Sequence, residues 1–357
     1  MSRRISPRQA LRGRSAEGES SRTARVRIDD VARRAGVSIS TVSRVVNGVE
    51  NKVSEETLER VRAIITDMDY RPARIGRALR TAQTQLVALL VPDTTNSFYA
   101  AIANSIEAAM AGSGHSMILC NTGEDPARQD HYLDEMEAHM VRGIALLGAV
   151  DSPGLRKMAR RNVPIVFVNR KPPSGIYGPF VGIDNRRAGA EVAGHFLERG
   201  FRPCGAIHGP LTSSASRERF EGYRDALGKG GAPLEPGFVR GALLSMESGY
   251  DNAGALLGRR RRPRAIFCGN DLIAYGAFRR CHELGLRVPE DVALFGFDDN
   301  PLNEWIAPWL STVHVPYGEI GAVVSQELHR LWDGDGVPVK RVQARLLPYQ
   351  IQLRSST

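Results

Sequence analysis

Eight short apolar runs between residues 86 and 299 constrain the fold more than any other feature of the sequence. They are separated by longer amphipathic stretches and cover residues 86–92, 117–120, 143–148, 164–169, 180–184, 204–209, 265–271 and 292–299. Runs of this kind are apolar on both faces, which is typical of parallel strands covered by helices. Eight strands are too many for one sheet beside a single crevice. Since the strand and helix pattern also begins again near residue 181, we expect two similar Rossmann-like α/β lobes.

The loops that follow these strands are the expected ligand site. In open parallel sheets, ligands bind outside the carboxyl ends of the strands. We therefore expect polar side chains of these loops to face a ligand. A lone polar residue at a strand end often forms hydrogen bonds within its own loop instead. The prediction therefore depends on several such residues acting together.

Residues 25–70 have a different pattern, which predicts three short helices around a small core. The first helix ends at Gly36, where a glycine can adopt positive φ, and Ser38 and Ser54 are placed as N-caps of the second and third helices. Helix, glycine turn and helix are typical of a helix-turn-helix, although an ordinary αα-hairpin has the same pattern.

The second helix has two unlike faces. At 3.6 residues per turn its three valines share one side, while Ser40, Ser43, Arg44 and Asn47 share the other. Hydroxyl and amide groups suit phosphate oxygens, and arginine suits a guanine edge or a phosphate. The polar face therefore predicts contact with a DNA major groove.

The distribution of charge supports a polyanionic partner. Residues 1–85 contain 18 Lys and Arg against 10 Asp and Glu, whereas residues 86–357 contain 30 against 29. Such an asymmetry indicates nucleic acid, although a merely solvated basic face is the alternative. Residues 1–24 are basic and nearly free of apolar residues, which predicts a disordered arm.

Other functional classes lack their motifs in this sequence. It has no apolar run of about 18 residues and no signal-peptide pattern, so we expect neither a membrane span nor secretion, and a location in the cytoplasm. The four scattered cysteines are expected to be reduced core thiols. Without a nucleophile motif, a P-loop or metal-ligand spacing, we predict no catalytic residue, metal or cofactor.

Two alternatives stay open. A periplasmic-type solute-binding protein would share the α/β lobes but would need a signal sequence and no basic N-terminal domain. An α/β enzyme with a DNA-binding appendage could use Asp298 and Asn270 as a catalytic pair.

The sequence closely resembles the lactose-repressor (LacI/GalR) family of bacterial transcription regulators. The segments VRIDDVARRAGVSISTVSRVVNG and VSEETLERVRAIITDMDYRPARIGRALRT match its N-terminal domain, and LVALLVPDTTNSFYAAIANSIEAA, AIFCGNDLIAYGA and GLRVPEDVALFGFDD match its effector domain. The resemblance implies an all-α helix-turn-helix domain at 25–70, a hinge at 71–83, and a two-lobed periplasmic-binding-protein-like domain for effector binding and dimerisation at 84–357.

The resemblance also implies which residues contact operator DNA. Those expected to read base edges are Ile39, Ser40 and Arg44, and those expected to reach phosphates are Ser38, Thr41, Ser43 and Asn47. Many relatives have a polar or aromatic residue in place of Ile39, which could contact a thymine methyl or pack at the edge of the core. In the hinge, Leu79 is expected to enter the minor groove as a wedge, beside Arg80.

For the effector, the resemblance places a small molecule between the two lobes. The expected contacts are Asn96, Phe98, Arg170, Arg219, Asn270, Asp298 and Trp305. Amide, carboxylate and guanidinium groups beside an aromatic wall suit a polyhydroxylated molecule, so we expect a sugar or sugar acid. Purine-binding members have larger polar residues at the positions that Ser213 and Ala215 occupy in this chain, so a purine effector is not favoured.

Together these features predict a DNA-binding regulator, most simply a repressor, that binds a palindromic operator as a homodimer. A leucine-heptad tail, which tetrameric relatives carry, is absent from the end of the sequence PYQIQLRSST, so a dimer is favoured.

Overall fold

The computed structural model describes residues 26–49, 52–70, 84–334 and 341–357. The chain divides into two compact units, Met1–Arg80 and Thr81–Thr357. The predicted arm at 1–24 and the predicted hinge residues Leu79 and Arg80 lie outside the described residues.

The described part of the first unit has three helices, α1 (Ile28–Ala35), α2 (Ile39–Val46) and α3 (Glu55–Asp67). Helix α1 ends at Gly36, whose φ of 64° is in the left-handed region where a residue without a Cβ is favoured. Helix α2 begins after Ser38, whose Oγ accepts a hydrogen bond from the Thr41 N–H at 3.2 Å. The three helices bury a shared core that includes Val31, Val42 and Val61.

The second unit has an α/β architecture. Its elements in chain order are β1 (Leu86–Val91), α4 (Ser97–Gly112), β2 (Ser116–Asn121), α5 (Pro126–Ala138), β3 (Gly143–Leu147), α6 (Pro153–Arg160), β4 (Ile165–Val168), β5 (Pro179–Gly182), α7 (Asn185–Glu198), β6 (Cys204–His208), α8 (Ser214–Lys229), β7 (Val239–Gly241), α9 (Met246–Leu257), β8 (Ala265–Cys268), α10 (Asp271–Glu283), β9 (Ala293–Phe295), α11 (Asn303–Ile306), β10 (Thr312–His314), α12 (Tyr317–Asp333), β11 (Gln343–Leu346) and β12 (Gln350–Gln352).

Two parallel sheets define two lobes, as the sequence predicts. The first lobe has the strand order β11-β5-β4-β3-β1-β2, and the second has the order β7-β6-β8-β9. All pairings within these two sheets are parallel. One apolar cluster is shared by both lobes, and each lobe has a further cluster on the other face of its sheet.

The restart near residue 181 does not mark the boundary between the lobes. Strand β5 pairs with β4 and therefore belongs to the first sheet, and the first strand of the second sheet along the chain is β6. The chain later returns to the first lobe, where β11 pairs with β5. A sequence pattern can reveal a repeated unit, but it does not say which neighbour a strand pairs with.

All eight predicted strands form, and four further short strands were not predicted. These are β7, β10, β11 and β12. Strands β7 and β11 are at sheet edges, and β10 pairs with β12 as a separate antiparallel pair. The exposed positions of β7 and β11 do not produce a continuous apolar run. In the described part of the chain, no helix is long and apolar enough to cross a membrane.

Candidate functional site

The exposed face of α2 is the candidate DNA-contacting surface. Val42 and Val45 are buried against α1 and α3, while Ser38, Ile39, Ser40 and Arg44 are exposed. The Arg44 side chain makes no ion pair or hydrogen bond with any residue that the structure describes, and only its backbone carbonyl accepts hydrogen bonds, from the Asn47 and Val49 N–H groups. Its guanidinium is therefore available to a partner.

Ile39 is half exposed and does not pack into the core of the first unit. Its side chain is 50% accessible, and it is not among the residues that contact the buried cluster. An exposed apolar side chain at this position is compatible with contact to a thymine methyl, which stays a prediction.

The hydroxyl and amide groups of α2 are partly engaged with one another. The Ser38 Oγ lies 2.7 Å from the Ser40 Oγ and 2.9 Å from the Thr41 Oγ1. Asn47 donates through its Nδ2 to the Ser43 carbonyl oxygen at 2.5 Å and lies 3.3 Å from the Ser43 Oγ. Asn47 thus caps its own helix, and the hydroxyls of Ser38, Ser40 and Thr41 are engaged with one another at the other end.

In the second unit, a cavity between the lobes is the candidate ligand site. It is lined by Asn96, Phe98, Tyr99, Asn169, Arg170, Ser213, Ala215, Ser216, Arg219, Leu244, Asn270 and Asp298. The first-lobe residues follow β1 and β4, and the second-lobe residues follow β6, β7, β8 and β9. Six of the seven predicted effector residues therefore lie around one cavity at the carboxyl ends of the strands.

Arg219 and Asp298 form the charged centre of this cavity. The Arg219 Nη1 lies 3.2 Å from the Asp298 Oδ1, and both side chains are almost fully buried. Arg219 also donates through its Nε to the Asn185 Oδ1 at 2.8 Å and through its Nη1 to the Gly269 carbonyl at 3.1 Å. Its guanidinium stacks on Phe297, with its Cζ 3.6 Å from the ring centroid. These contacts fix the guanidinium from three sides.

Burial outweighs mutual attraction in this pair. It raises the pKa of the Asp298 carboxyl to about 6, although Arg219 acts in the opposite direction. Burial likewise lowers the pKa of the Arg219 guanidinium. Asp298 also has a φ of 101°, which is unfavourable for a residue with a Cβ. A strained, desolvated carboxylate gains from further hydrogen-bond donors, such as ligand hydroxyls.

Asp271 helps to fix the loop that carries Asp298. Its carboxylate accepts hydrogen bonds from the Thr312 Oγ1 at 2.7 Å, the Asn300 N–H at 2.7 Å and the Asn303 Nδ2 at 2.8 Å. Burial raises the pKa of Asp271 to about 7. Asp271 is thus a positioning residue that ties the start of α10 to the strand-end loop.

A second ion pair lies on the first-lobe side of the cavity. Arg170 donates through its Nη2 to Glu124, which follows β2. Arg170 is almost fully buried, and its Nε has no hydrogen-bond partner among the described residues. The Asp298 Oδ1 also lacks one, because its contact with Arg219 does not have hydrogen-bond geometry. Two orphaned polar atoms from opposite lobes thus line one cavity, which indicates a ligand.

Three helix N-termini point to the cavity, and each is already capped. Asn96 accepts the Phe98 N–H at 3.0 Å at the start of α4, and Asn270 accepts the Ile273 N–H at 3.0 Å at the start of α10. Ser213 caps α8 through the Ser216 N–H at 3.5 Å. In each case the side-chain oxygen satisfies one of the free N–H groups at the helix N-terminus.

The cavity is nearly closed in this arrangement of the lobes. Its volume is about 10 Å³, room for about one water molecule. An adjoining chamber of about 320 Å³, lined by Asp93, Asn121, Glu124 and Leu244 among others, lies towards solvent. Contacts between the lobes hold this arrangement: Lys171 pairs with Glu218 at 2.6 Å, and Ser97 donates to Asn300 at 2.5 Å.

Trp305 does not join the cavity, contrary to the sequence prediction. Its side chain is 82% exposed. On the four-residue helix α11, Asn303 is the residue that turns inward and binds Asp271, so Trp305 faces outward. Leu302 and Ile306 are also exposed, and the three form an apolar patch.

Several lining residues were not predicted from the sequence. Tyr99, Asn169, Ser216 and Leu244 line the cavity, and Glu124 pairs with Arg170. Asn169 directly follows β4 and could have been found by the strand-end rule. Leu244 follows β7, which was not predicted. Within the described ranges, no group of three or more His, Cys, Asp or Glu side chains could hold a metal ion.

Comparisons with known proteins give a family match in each of the two units. Residues 27–73 match the family described as "Bacterial regulatory proteins, lacI family", and residues 193–357 match a periplasmic binding protein-like domain. The chain is 33% identical over 335 residues to the HTH-type transcriptional regulator DegA of Bacillus subtilis, covering 92% of this chain and 97% of DegA. It is 34% identical over 311 residues to the ribose operon repressor of Escherichia coli K12, covering 85% of this chain and 92% of that repressor.

Among solved structures, the chain is similar to the lac repressor dimer bound to operator and the anti-inducer ONPF. The TM-score is 0.79 at 26% sequence identity, and the match covers 94% of this chain and 99% of that one. These similar proteins are transcriptional regulators, as their names state.

Proposed function

Because the chain belongs to the lacI family of bacterial regulatory proteins, we propose that it binds a palindromic operator as a homodimer through α2, under the control of a small neutral sugar or polyol in the interlobe cavity. Members of this family are DNA-binding transcriptional regulators that respond to small-molecule effectors, and this chain is one of them. As a regulator of bacterial genes it would act in the cytoplasm, as a repressor and not as an enzyme.

The exposed face of α2 supports the DNA-binding part of the proposal. Arg44 and Ile39 are free to reach base edges, and Ser38 and Ser40 are placed to reach phosphates. In a symmetric dimer, two such helices would contact two half-sites of a palindrome. Leu79, which the structure does not describe, is proposed to act as the minor-groove wedge between them.

The observation that carries the effector proposal is the balance of charge in the cavity. Arg219 is paired with Asp298, and Arg170 with Glu124, so neither guanidinium is left without a carboxylate. The three helix N-termini are capped, and Asp93 adds a negative charge at the outer chamber. An anionic ligand would find no uncompensated cation, whereas neutral hydroxyls can donate to Asp298 and accept from Arg170.

The proposed coupling between the effector cavity and the DNA-binding face depends on which lobe each cavity residue belongs to. Asn96 and Arg170 belong to the first lobe, and Arg219, Asn270 and Asp298 belong to the second. A ligand that contacts both sets stabilises one arrangement of the lobes over another. It changes operator affinity only if DNA also prefers one of these arrangements, and the effect is then reciprocal.

A thermal-shift screen of the full chain tests the effector class. Neutral pentoses, hexoses and polyols should be compared with the matching sugar acids and sugar phosphates. We expect a neutral compound at 100 times its Kd to stabilise the protein by about 2.7 kcal/mol, and the acid of the same carbon skeleton to give no shift. A larger shift with the acid or phosphate would contradict the charge-balance argument.

The patch that contains Trp305 is proposed as part of the dimer surface. Leu302, Trp305 and Ile306 are exposed together, and an adjacent groove of about 390 Å³ lies between α9 and α10. Tyr275, which lines this groove, donates through its hydroxyl to Asn303 of α11 at 2.7 Å, so α11 is attached to the helix that forms one wall of the groove. The groove is lined by Met246, Tyr250 and Tyr275 together with charged residues of both signs, and an exposed tryptophan beside such a groove fits a self-complementary interface.

Trp305→Asp should convert the dimer to a monomer at micromolar concentration, because it places a charge in the centre of an apolar contact. The control is Tyr177→Asp, which changes an exposed aromatic residue of the first lobe. Sedimentation equilibrium of both variants measures the outcome. If the Trp305→Asp protein stayed dimeric, the dimer interface would have to lie on another surface.

A further inference from the structure

A cluster of arginines in the second lobe has no role in either proposed site. The turn after α9 reads GRRRRPR at residues 258–264, and four of its arginines are exposed. Only Arg261 forms an ion pair there, with Glu235 at 2.6 Å. The other turn arginines make no ion pair with any residue in the described ranges.

Neighbouring basic residues extend this cluster into a surface, which we call the basic pole. It consists of Arg202, Lys229, Arg259, Arg260, Arg262 and Arg264. Arg202 donates to the Gly230 carbonyl at 3.4 Å, and Arg259 to the Gly237 carbonyl at 3.3 Å. The Arg264 N–H donates to the Pro203 carbonyl at 2.7 Å, which brings the turn next to Arg202.

The pairing of basic side chains elsewhere makes this surface unusual. In the described part of the second unit, most other exposed basic residues pair with an acid, as Arg156 does with Asp151 and Lys157 with Asp134. At the basic pole, in contrast, Arg202, Arg259 and Arg264 donate to backbone carbonyls, and none of the six side chains forms an ion pair within the described ranges. Like charges held together repel one another, which an anionic partner would relieve.

The position of the basic pole separates it from the effector cavity. Arg264 directly precedes β8, and Arg202 lies two residues before β6, so the pole is at the amino ends of the second-lobe strands. The cavity is at their carboxyl ends. A partner bound at the pole would therefore leave the cavity free.

The composition of the turn favours nucleic acid over protein. It has no large apolar side chain, whereas a protein interface has an apolar core. Closely spaced arginines with free donors suit a row of phosphates. DNA is the polyanion that a transcription regulator meets continuously. We propose that the basic pole is a second, sequence-independent DNA-binding surface, which lets a molecule that already holds its operator capture another duplex segment.

A bridging assay with the full chain tests this proposal. The protein is loaded on an immobilised operator, itself selected from random duplexes, and is then offered a labelled 30-base-pair duplex of unrelated sequence. The test variant is Arg259→Ser/Arg260→Ser/Arg262→Ser. The matched control is Arg156→Ser/Lys157→Ser/Arg161→Ser, which removes the same charge from an exposed cluster of the first lobe.

We expect the wild type and the control to capture the second duplex and the test variant to capture at least about tenfold less. The slope of log affinity against log salt should become shallower by up to about 3 in the test variant, at about 0.9 for each phosphate that is no longer neutralised. Equal capture by the test variant, an equal loss in the control, or capture of polyglutamate in place of DNA would each overturn the proposal. Because retention on the immobilised operator is scored separately, a failure of operator binding is distinguishable from a failure of the basic pole.

Discussion

Replacing Arg219 by alanine should abolish the effector response, with a loss of effector affinity of at least about 100-fold. Arg219 is held by Asn185, Gly269 and Phe297 in the orientation that faces the cavity. A hydrogen bond to a charged group contributes about 1.5 to 3 kcal/mol, so the loss of two such bonds to a ligand accounts for this factor. Isothermal titration with the compound found by thermal shift measures it.

The control is Arg217→Ala, which makes the same charge change on the same helix. Arg217 is exposed and donates to the Leu211 carbonyl at 3.1 Å, away from the lining residues. Since Arg219→Ala leaves Asp298 buried without its partner, it can also destabilise the fold by about 3 to 5 kcal/mol. Asp298→Asn is the companion variant: Arg219 keeps its contacts with Asn185 and Gly269, although its buried guanidinium then lacks a carboxylate. Undiminished effector binding in both variants would show that the effector binds elsewhere.

Replacing Arg44 by alanine should weaken operator binding by about 1 to 3 kcal/mol, or roughly 5- to 150-fold. Arg44 is the exposed, unpaired guanidinium of α2, so a base-reading role predicts that affinity for the operator falls more than affinity for unrelated duplexes. Fluorescence anisotropy with both duplexes at a fixed salt concentration measures the two losses.

Arg60→Ala provides the control, because Arg60 is an exposed arginine of the same unit that pairs with Glu56 at 3.6 Å on α3. It should change binding to both duplexes by less than about twofold. If Arg44→Ala weakened both duplexes equally, Arg44 would be a phosphate contact and the sequence reading would have to come from other residues, with Ile39 the first to examine.

The sequence was sufficient for the parts of the fold that depend on local pattern. Continuous apolar runs located all eight main strands, and Gly36 and Ser38 located the turn between α1 and α2. It was not sufficient for the parts of the fold that depend on which strands pair with each other. Strand β5 belongs to the first sheet, and β11 returns to it from far along the chain. Register across long separations leaves no local pattern.

Part of the candidate cavity was predicted from local sequence pattern, and the rest was missed because it depends on tertiary contacts. Asn96, Asn270 and Asp298 follow strands, so the strand-end rule and the family resemblance both indicated them. Trp305 follows the same strand as Asp298, but the inward turn of Asn303 directs it to the surface. The pairing of Glu124 with Arg170, which makes the cavity charge-balanced, depends on tertiary contact between two loops and has no sequence pattern.

The central claim is that one small molecule in the interlobe cavity and one operator at α2 influence each other. The most direct test is the operator Kd of the full chain with and without a saturating concentration of the compound identified by thermal shift. The account predicts a change of about 5- to 150-fold, equivalent to a coupling free energy of about 1 to 3 kcal/mol, which Arg219→Ala removes. An unchanged operator Kd in the presence of a bound ligand would contradict it.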